Sequence, residues 1–492
     1  MTAIITPEHL VAFAMLAPFA AALLIPLFHN MPNLRETVTL LAAGALCMAV
    51  AGLLAPVLDG ARPELHVIDV LPGLALAFKV EPLGMLFALV ASTLWIVNSV
   101  YSIGYMRANQ EPRQTGFYVC FAVALGSTIG IAFAANLFTL FLFYEALTIS
   151  TYPLVTHKAD AEAIRAGRIY LLLLLGTSLV LFLPAIVATW VLAGTLDFTP
   201  GGILAGKAGT PLIAALLALY VFGIGKAAVM PLHFWLPAAM VAPTPVSALL
   251  HAVAVVKAGV FAIVKVAVMI FGIETLSSLD QSAWLTVVAG TTVLAASVVA
   301  LRQDNLKRLL AYSTVSQLSY IVLGVAVLTP ISAVGAAMHL AAHALGKITL
   351  FFAAGSLYTA AHLTQVSELD GIGRRMPWTM GAFTVGALAM IGVPPTAGFL
   401  GKWFILMGAM QTANWVAVAV IVVSTLLNAG YFLPIVFRAF MREPAPHGRD
   451  DKTGEAPWPI VAALTVTAAG TVLMFLWPGI PYALAQLMMT GR

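Results

Sequence analysis

The chain has 492 residues, of which 61% are hydrophobic and only 9% are charged, with a formal net charge of +4. Soluble globular proteins carry roughly 25% charged residues, so this composition excludes an ordinary water-facing surface. The mean hydropathy of +0.99 and the lack of a long polar linker predict a single membrane domain over residues 1–492.

Fourteen mostly apolar stretches follow one another along the chain, and about 20 such residues suffice to span a bilayer. The fold class is therefore predicted to be all-α, a polytopic membrane protein with about 14 transmembrane helices. Residues 66–80 could form a short extra element between the second and third helices. The helices are expected near residues 10–29, 37–58, 82–106, 116–135, 136–156, 165–194, 209–238, 244–271, 281–301, 308–328, 332–361, 378–410, 413–440 and 457–478.

Basic residues are unevenly distributed between the loops that join these helices. The odd-numbered loops hold fifteen, whereas the even-numbered loops and the C-terminal tail hold four: Arg62, Lys79, Lys207 and Arg492. Because an excess of basic loop residues marks the cytoplasmic side, both termini are predicted to be periplasmic, in a bacterial inner membrane. The fifteen are Arg35, Arg107, Arg113, Lys158, Arg165, Arg168, Arg302, Lys307, Arg308, Arg374, Arg375, Arg438, Arg442, Arg449 and Lys452.

Five lysines and one carboxylate fall inside the hydrophobic stretches. A charge at bilayer depth is costly, so such residues usually line a cavity, a proton relay or an ion path. The alternatives are snorkelling from a helix end and a static ion pair. Lys265, near the outer end of its helix, is expected to snorkel, and Glu145 is predicted to have a basic partner. The other four lysines are the functional candidates, namely Lys226, Lys257, Lys347 and Lys402.

Basic side chains form a stripe along the eleventh helix, since His339, His343 and Lys347 recur every four residues. The stripe rises about 12 Å. Imidazole titrates near neutrality, so this pattern favours a proton relay. A polar seam between helices is the alternative, and a metal site is disfavoured because no carboxylate or third ligand accompanies the histidines. Neither a metal nor a cofactor is predicted.

Two helices are predicted to be broken in their interiors, because proline removes a backbone donor and clashes with the preceding turn. Each break carries a lysine, and interrupted helices in matching halves indicate a transport site. Helices 4–8, about residues 116–271, and helices 9–13, about residues 281–440, form two five-helix blocks. Since five is odd, the blocks are expected to be inverted repeats. The breaks lie at Pro231 and Pro237 in the seventh helix and at Pro394 and Pro395 in the twelfth.

The sequence resembles the antiporter-like subunits shared by respiratory complex I, Mrp-type cation/proton antiporters and membrane-bound hydrogenases. The matching segments are NLFTLFLFYEA from Asn136, GKAAVMPLHFWLPAAMVAPTPVSALLHAVAVVKAGV from Gly225, DNLKRLLAYSTVSQ from Asp304, HLAAHALGKITLFF from His339 and GVPPTAGFLGKW from Gly392. The resemblance implies fourteen core helices, inverted repeats and broken helices seven and twelve. It assigns the proton path to Glu145 and Lys226, to His251 and Lys257 on helix eight, to His343 and Lys347 on helix eleven, and to Lys402.

Within this family, the sequence is interpreted as a D-type chain of a Mrp antiporter. It ends at Arg492 and is expected to lack the long lateral helix of the largest complex I subunit, although the stretch from Pro243 to His251 looks like that type. Ala238 stands where many complex I relatives carry an aspartate. The expected partners are other membrane subunits, protons with Na⁺ or K⁺ as candidate counter-ions, and the bilayer, but not nucleic acid.

Two other functions remain open at this point. The chain could be the proton-pumping membrane subunit of an NADH:quinone oxidoreductase or of a membrane-bound hydrogenase, with the redox chemistry performed elsewhere in the complex. It could also be a passive scaffold, although buried lysines at two helix breaks argue against that. In none of these cases is catalytic chemistry expected in this chain.

Overall fold

The computed structural model describes residues 6–443 and 454–490 and is helical over most of that length. Twelve segments in this part of the chain are long and apolar enough to cross a membrane, and two shorter apolar helices stand in the seventh and twelfth places. The predicted fold class and helix order are therefore confirmed. The helices are α1 (Pro7–Leu24), α2 (Pro32–Leu58), α3 (Pro82–Ala108), α4 (Gln114–Ala132), α5 (Leu137–Val155), α6 (Ala161–Thr177), α7 (Leu183–Ala193), α8 (Thr210–Gly223), α9 (Trp235–Ala238), α10 (Thr244–Ala248), α11 (Val255–Val266), α12 (Ile273–Ser278), α13 (Ser282–Leu301), α14 (Leu306–Ala326), α15 (Pro330–Ala361), α16 (Pro377–Ile391), α17 (Ala397–Gln411), α18 (Trp415–Met441), α19 (Trp458–Leu476) and α20 (Gly479–Thr490).

The short helix α12, a β-hairpin and helix α20 lie outside the predicted helices. The extra element is an antiparallel hairpin of β1 (Glu64–Leu71) and β2 (Leu74–Lys79), in which Glu64 pairs with Lys79. Helix α20 was not predicted and packs against α3 and α15. Its twelve residues are too few to span a bilayer, which is why a search for spanning stretches did not include it.

The loops sort onto two faces of the helix bundle. On one face, Arg113 donates to the carbonyl of His157, and the Val366 amide donates to the Asp304 carbonyl at 2.6 Å. These contacts join odd-numbered loops. On the other face, β2 pairs with the loop after α4, and the Leu137 amide bonds Leu196 O, which joins even-numbered loops. This alternation is expected when each helix in turn crosses the membrane. Which face is cytoplasmic stays a prediction, and Arg449, Lys452 and Arg492 lie outside the described residues.

Three helical segments form the centre of the bundle. The most apolar window of Thr244–Phe271 is fully buried, and those of α14 and α15 are 94% buried, against 33% for α2 and 39% for α18. The outer helices instead expose apolar side chains such as Leu172 and Val191, as lipid contact requires. The division of the chain into two inverted repeats stays a prediction.

The central helices are locally distorted. Turns of π-helix occur at Leu249–Val253 and Ala267–Phe271, on either side of α11, and a third lies between α6 and α7. Such turns leave backbone groups out of the regular ladder and often occur at functional sites. His251 lies inside the first of them.

Candidate functional site

The first helix break holds Lys226 in a short 3₁₀ turn after α8. Its ammonium donates to the Tyr144 carbonyl at 2.8 Å and to Thr148 Oγ1 at 2.5 Å, and it lies 3.2 Å from the centre of the Tyr144 ring. A Cβ on Gly259 would overlap the Lys226 backbone, so glycine there lets α11 approach the break. The break therefore fixes Lys226 against α5 and α11.

Lys402 belongs to α17, and the second break brings its ammonium to the C-terminal end of α16. Its ammonium donates to the carbonyls of Met390 and Ile391 at 2.7 and 3.0 Å. The last carbonyls of a helix have no intrahelical partner and carry partial negative charge. Gly392 has φ +88, which lets the chain turn out of α16 before the two prolines. The break thus supplies the groups that hold the lysine.

Lys257 lies between the two breaks and contacts a histidine. Its Nζ is 2.6 Å from Nδ1 of His343, and both side chains are completely buried. No ion pair joins Lys257 to a carboxylate within residues 6–443 and 454–490. An ammonium is a donor only, so this contact forms only when one of the two nitrogens lacks its proton.

A line of polar groups continues from His343 towards the second break. The rings of His343 and His339 are 6.2 Å apart, and His339 Nε2 lies 3.0 Å from Gln317 Oε1. Gln317 in turn donates to the Met390 carbonyl at 3.0 Å, which is also bound by Lys402. The structure thus connects four of the predicted residues, and Gln317 is the link that sequence reasoning missed.

Lys347 and His251 flank this line. Lys347 is fully buried one turn beyond His343 and donates to the Leu310 carbonyl of α14 at 3.1 Å. His251 stacks against Phe351 of α15, with ring centres 4.7 Å apart. Neither ring nitrogen of His251 has a hydrogen-bond partner among the described residues. Since buried polar atoms are normally bonded, this ring is poised for water or a transient partner.

Glu145 lies beside the first break but forms no ion pair with Lys226. Both of its carboxylate oxygens are buried, and neither has a hydrogen-bond partner in the described part of the chain. The lysine instead binds the carbonyl of Tyr144 and the hydroxyl of Thr148, one residue before Glu145 and three after it. The basic partner that was predicted for Glu145 therefore forms no direct contact with its carboxylate in this structure.

The prediction that Lys265 snorkels is wrong. Its side chain is completely buried, and its Nζ lies 2.9 Å from Glu81 Oε2 and 2.7 Å from the Ala134 carbonyl. Phe198 covers it, with the ring centre 4.1 Å from the ammonium. Glu81 immediately precedes α3 and was missed because it stands outside a hydrophobic stretch. Three even-numbered loops thus cover this end of α11, through Glu81, Ala134 and Phe198.

A second group of titratable residues lies outside the membrane spans, on the odd-loop face. His157 Nε2 is 3.8 Å from Glu111 Oε2. Burial, with a contribution from the nearby Arg113 charge, lowers the pKa of His157 to about 4. Burial raises the pKa of Glu111, although Lys158 and Lys307 oppose that rise. His157 is therefore neutral at physiological pH, and Glu111 titrates closer to neutrality than an exposed glutamate.

The arrangement is suited to proton transfer. The buried groups are amines, imidazoles, hydroxyls and an amide, and no cluster of three or more metal-ligating side chains occurs among the described residues. Imidazole can accept a proton on one nitrogen and release it from the other. A proton could therefore move directly between Lys257 and His343. Transfer from His343 to His339 would need water between their rings, which are 6.2 Å apart.

A family model described as NADH:quinone oxidoreductase/Mrp antiporter, TM matches residues 134–428, more than half of the chain. The N subunit of the NADH-quinone oxidoreductase of Desulforudis audaxviator is 32% identical over 490 residues, covering 96% of this chain and 95% of that protein. The D subunit of the Na⁺/H⁺ antiporter of Alkalihalophilus pseudofirmus is 24% identical, covering 94% and 93%. A chain of the Mrp complex from Dietzia has the same fold, with a TM-score of 0.87 at 22% identity, covering 100% of this chain and 97% of that chain.

Proposed function

This chain belongs to the NADH:quinone oxidoreductase/Mrp antiporter transmembrane family, and we propose that it translocates protons along its buried lysines and histidines. Family membership makes it a membrane subunit of the cation/proton antiporter type. The proposed path consists of Glu145, Lys226, His251, Lys257, His339, His343, Lys347 and Lys402.

The observation that carries the proposal is the 2.6 Å contact between Lys257 Nζ and His343 Nδ1. If both groups were fully protonated, two donors would face each other. Two positive charges at this distance would also repel by about 6 kcal/mol at an effective dielectric constant of 20. Lys257 and His343 are therefore not both protonated at the same time. A proton delivered to either side chain displaces a proton from the other to the next group of the relay.

Replacing Lys257 by arginine tests this role. Arginine keeps the positive charge but cannot give up its proton in a protein. Proton flux in vesicles that contain the assembled native complex should therefore fall as far in Lys257→Arg as in Lys257→Ala. The matched control is Lys207→Arg, because Lys207 is exposed in an even-numbered loop. Wild-type flux in Lys257→Arg, with normal assembly, would show that this lysine only holds helices together.

We propose that the complex is a multisubunit monovalent cation/proton antiporter in which this chain is the D-like component. Support comes from the near full-length similarity to the D subunit of a Na⁺/H⁺ antiporter and from the fold shared with a Mrp complex. In that setting, proton movement through the chain would drive the opposite movement of Na⁺ or K⁺.

A second candidate is the proton-pumping membrane subunit of an NADH:quinone oxidoreductase or hydrogenase complex. The 32% identity to the N subunit of an NADH-quinone oxidoreductase, over nearly its whole length, favours it. Purifying the native complex through a tag on this chain would separate the two candidates. Co-purification of flavin or iron–sulfur subunits would identify a redox complex, whereas purely hydrophobic partners and cation-dependent proton flux would identify an antiporter.

A further inference from the structure

A cavity of about 610 Å³ opens on the odd-loop face of the bundle. Its walls come from the loops after α3, α5, α9, α13 and α15, so five separate connections enclose it. Charged side chains of both signs line it, including Glu111, Lys158 and Lys307. Such a polar concavity at the end of an apolar bundle is suited to hold water.

The inner wall of the cavity lies close to the buried relay. Thr244 lines it and begins α10, and His251 lies seven residues further along, about 10 Å at the helical rise. Ala354 of α15 also lines it and lies seven residues, again about 10 Å, from Lys347. His251, in the turn that follows α10, is thus the relay residue that the chain reaches first from Thr244, and its ring nitrogens have no hydrogen-bond partner among the described residues.

Among the carboxylates that line this cavity, Glu111 is the one whose pKa is raised by burial. Its side chain is 12% exposed, with His157 Nε2 at 3.8 Å. The other charged or titratable groups facing it are Lys158 of the next odd loop, Lys307 of α14 and Tyr105 of α3. Lys307 donates to the Ala242 carbonyl at 2.5 Å, which ties the end of the first broken helix to this mouth.

We propose that this cavity is the port between the aqueous phase and the relay, and that Glu111 exchanges the protons there. A proton from water binds a carboxylate oxygen of Glu111 and crosses the water of the cavity to its wall at Thr244. It then passes inward, over the remaining distance of about 10 Å along the helix, to a ring nitrogen of His251, and the carboxylate is ready for the next proton. The proposal rests on the proposed function, because a port needs a relay to supply. A carboxyl group whose pKa is raised towards the working pH is suited to this exchange.

Substituting Glu111 tests its role directly. Glu111→Gln keeps the size but cannot exchange a proton, so flux in assembled vesicles should fall by roughly 10- to 100-fold at neutral pH. Glu111→Asp retains a carboxylate and should restore most of it. The matched control is Glu162→Gln, since Glu162 lines the same cavity but is exposed. Equal flux in Glu111→Gln and wild type would overturn the role of Glu111, as would failure of Glu111→Asp to exceed Glu111→Gln.

Thiol labelling tests the port without measuring transport. In a protein with Cys47 and Cys120 replaced by serine, Ala354→Cys should react with a small water-soluble reagent added on the odd-loop side only, whereas Ala353→Cys should not react. An unreactive cysteine at 354, or equal reaction from both sides, would overturn the port. If Lys257→Arg transports normally while Ala354→Cys is labelled, the proposed relay is wrong but the water-filled cavity is real. A failure of the proposed relay can thus be distinguished from a failure of the proposed port.

Discussion

The two ends of α11 hold buried lysines in opposite ways. At the end near the even-numbered loops, Lys265 is paired with the Glu81 carboxylate at 2.9 Å. Eight residues earlier, Lys257 is paired with the His343 imidazole at 2.6 Å. A carboxylate accepts hydrogen bonds and stabilises the ammonium, whereas an imidazole competes with it for the proton. Burial is the same at both sites, so the two lysines differ in their partners and not in their depth.

The largest expected effect comes from breaking the fixed pair. Glu81→Ala leaves the Lys265 charge uncompensated inside the bundle, which should cost about 3–5 kcal/mol of stability. Thermal unfolding and the yield of assembled complex in detergent would measure this. The double variant Glu81→Gln with Lys265→Met removes both charges and should recover most of the loss and transport normally. Normal stability in Glu81→Ala would mean that the pair is not a structural element.

For the Lys257–His343 pair, the proposed relay predicts a loss of transport without a loss of stability. His343→Gln can still bond Lys257, but it cannot carry a proton, so flux should fall by about 100-fold. The assembled complex should form in normal yield, which would be checked by native electrophoresis. If His343→Gln retains half of the wild-type flux, the proton path does not pass through His343.

Glu145 offers a second comparison with Glu81. Glu81 is paired with Lys265, whereas the Glu145 carboxylate has no such partner among the described residues. Glu145→Gln removes a negative charge beside the carbonyl and hydroxyl that bind Lys226. Flux should fall by about 10-fold, because the ammonium of Lys226 loses a neighbouring opposite charge. Flux measurements at several pH values would test this. If the variant instead loses stability as Glu81→Ala does, Glu145 belongs with the fixed pairs.

The smallest expected effect lies outside the membrane, at His157. Because its pKa is about 4 in the folded protein against 6.5 normally, the unfolded chain binds more protons between these values. This contribution to stability is therefore complete above about pH 6.5 and is lost as the pH falls towards 4. His157→Gln should show a shallower decline in melting temperature over that window. Glu111 is present in both proteins, so an identical decline would assign the acid sensitivity to other groups.

Much of the fold was predictable from the sequence, because spanning helices are set by local hydropathy. The prediction of 244–271 coincides with the observed Thr244–Phe271, and most other spans agree within a few residues. The helix breaks were also predictable, since proline acts on its own backbone. The β-hairpin and α20 could not be assigned in the same way, because they are short and are defined by contacts with neighbouring elements.

The sequence by itself determined that four lysines are buried, because apolar flanks on both sides leave their side chains no route to water: Lys226, Lys257, Lys347 and Lys402. Only the tertiary structure decided their partners. Lys257 and His343 are separated by 86 residues and Lys265 and Glu81 by 184, so neither contact can be derived from local spacing. The error over Lys265 has this cause: its position in the helix suggested an exposed end, whereas Glu81, Ala134 and Phe198 from three different loops cover it. Partner identity depends on packing between distant segments, and in the proposed function the partner decides whether a buried lysine carries a fixed charge or passes a proton.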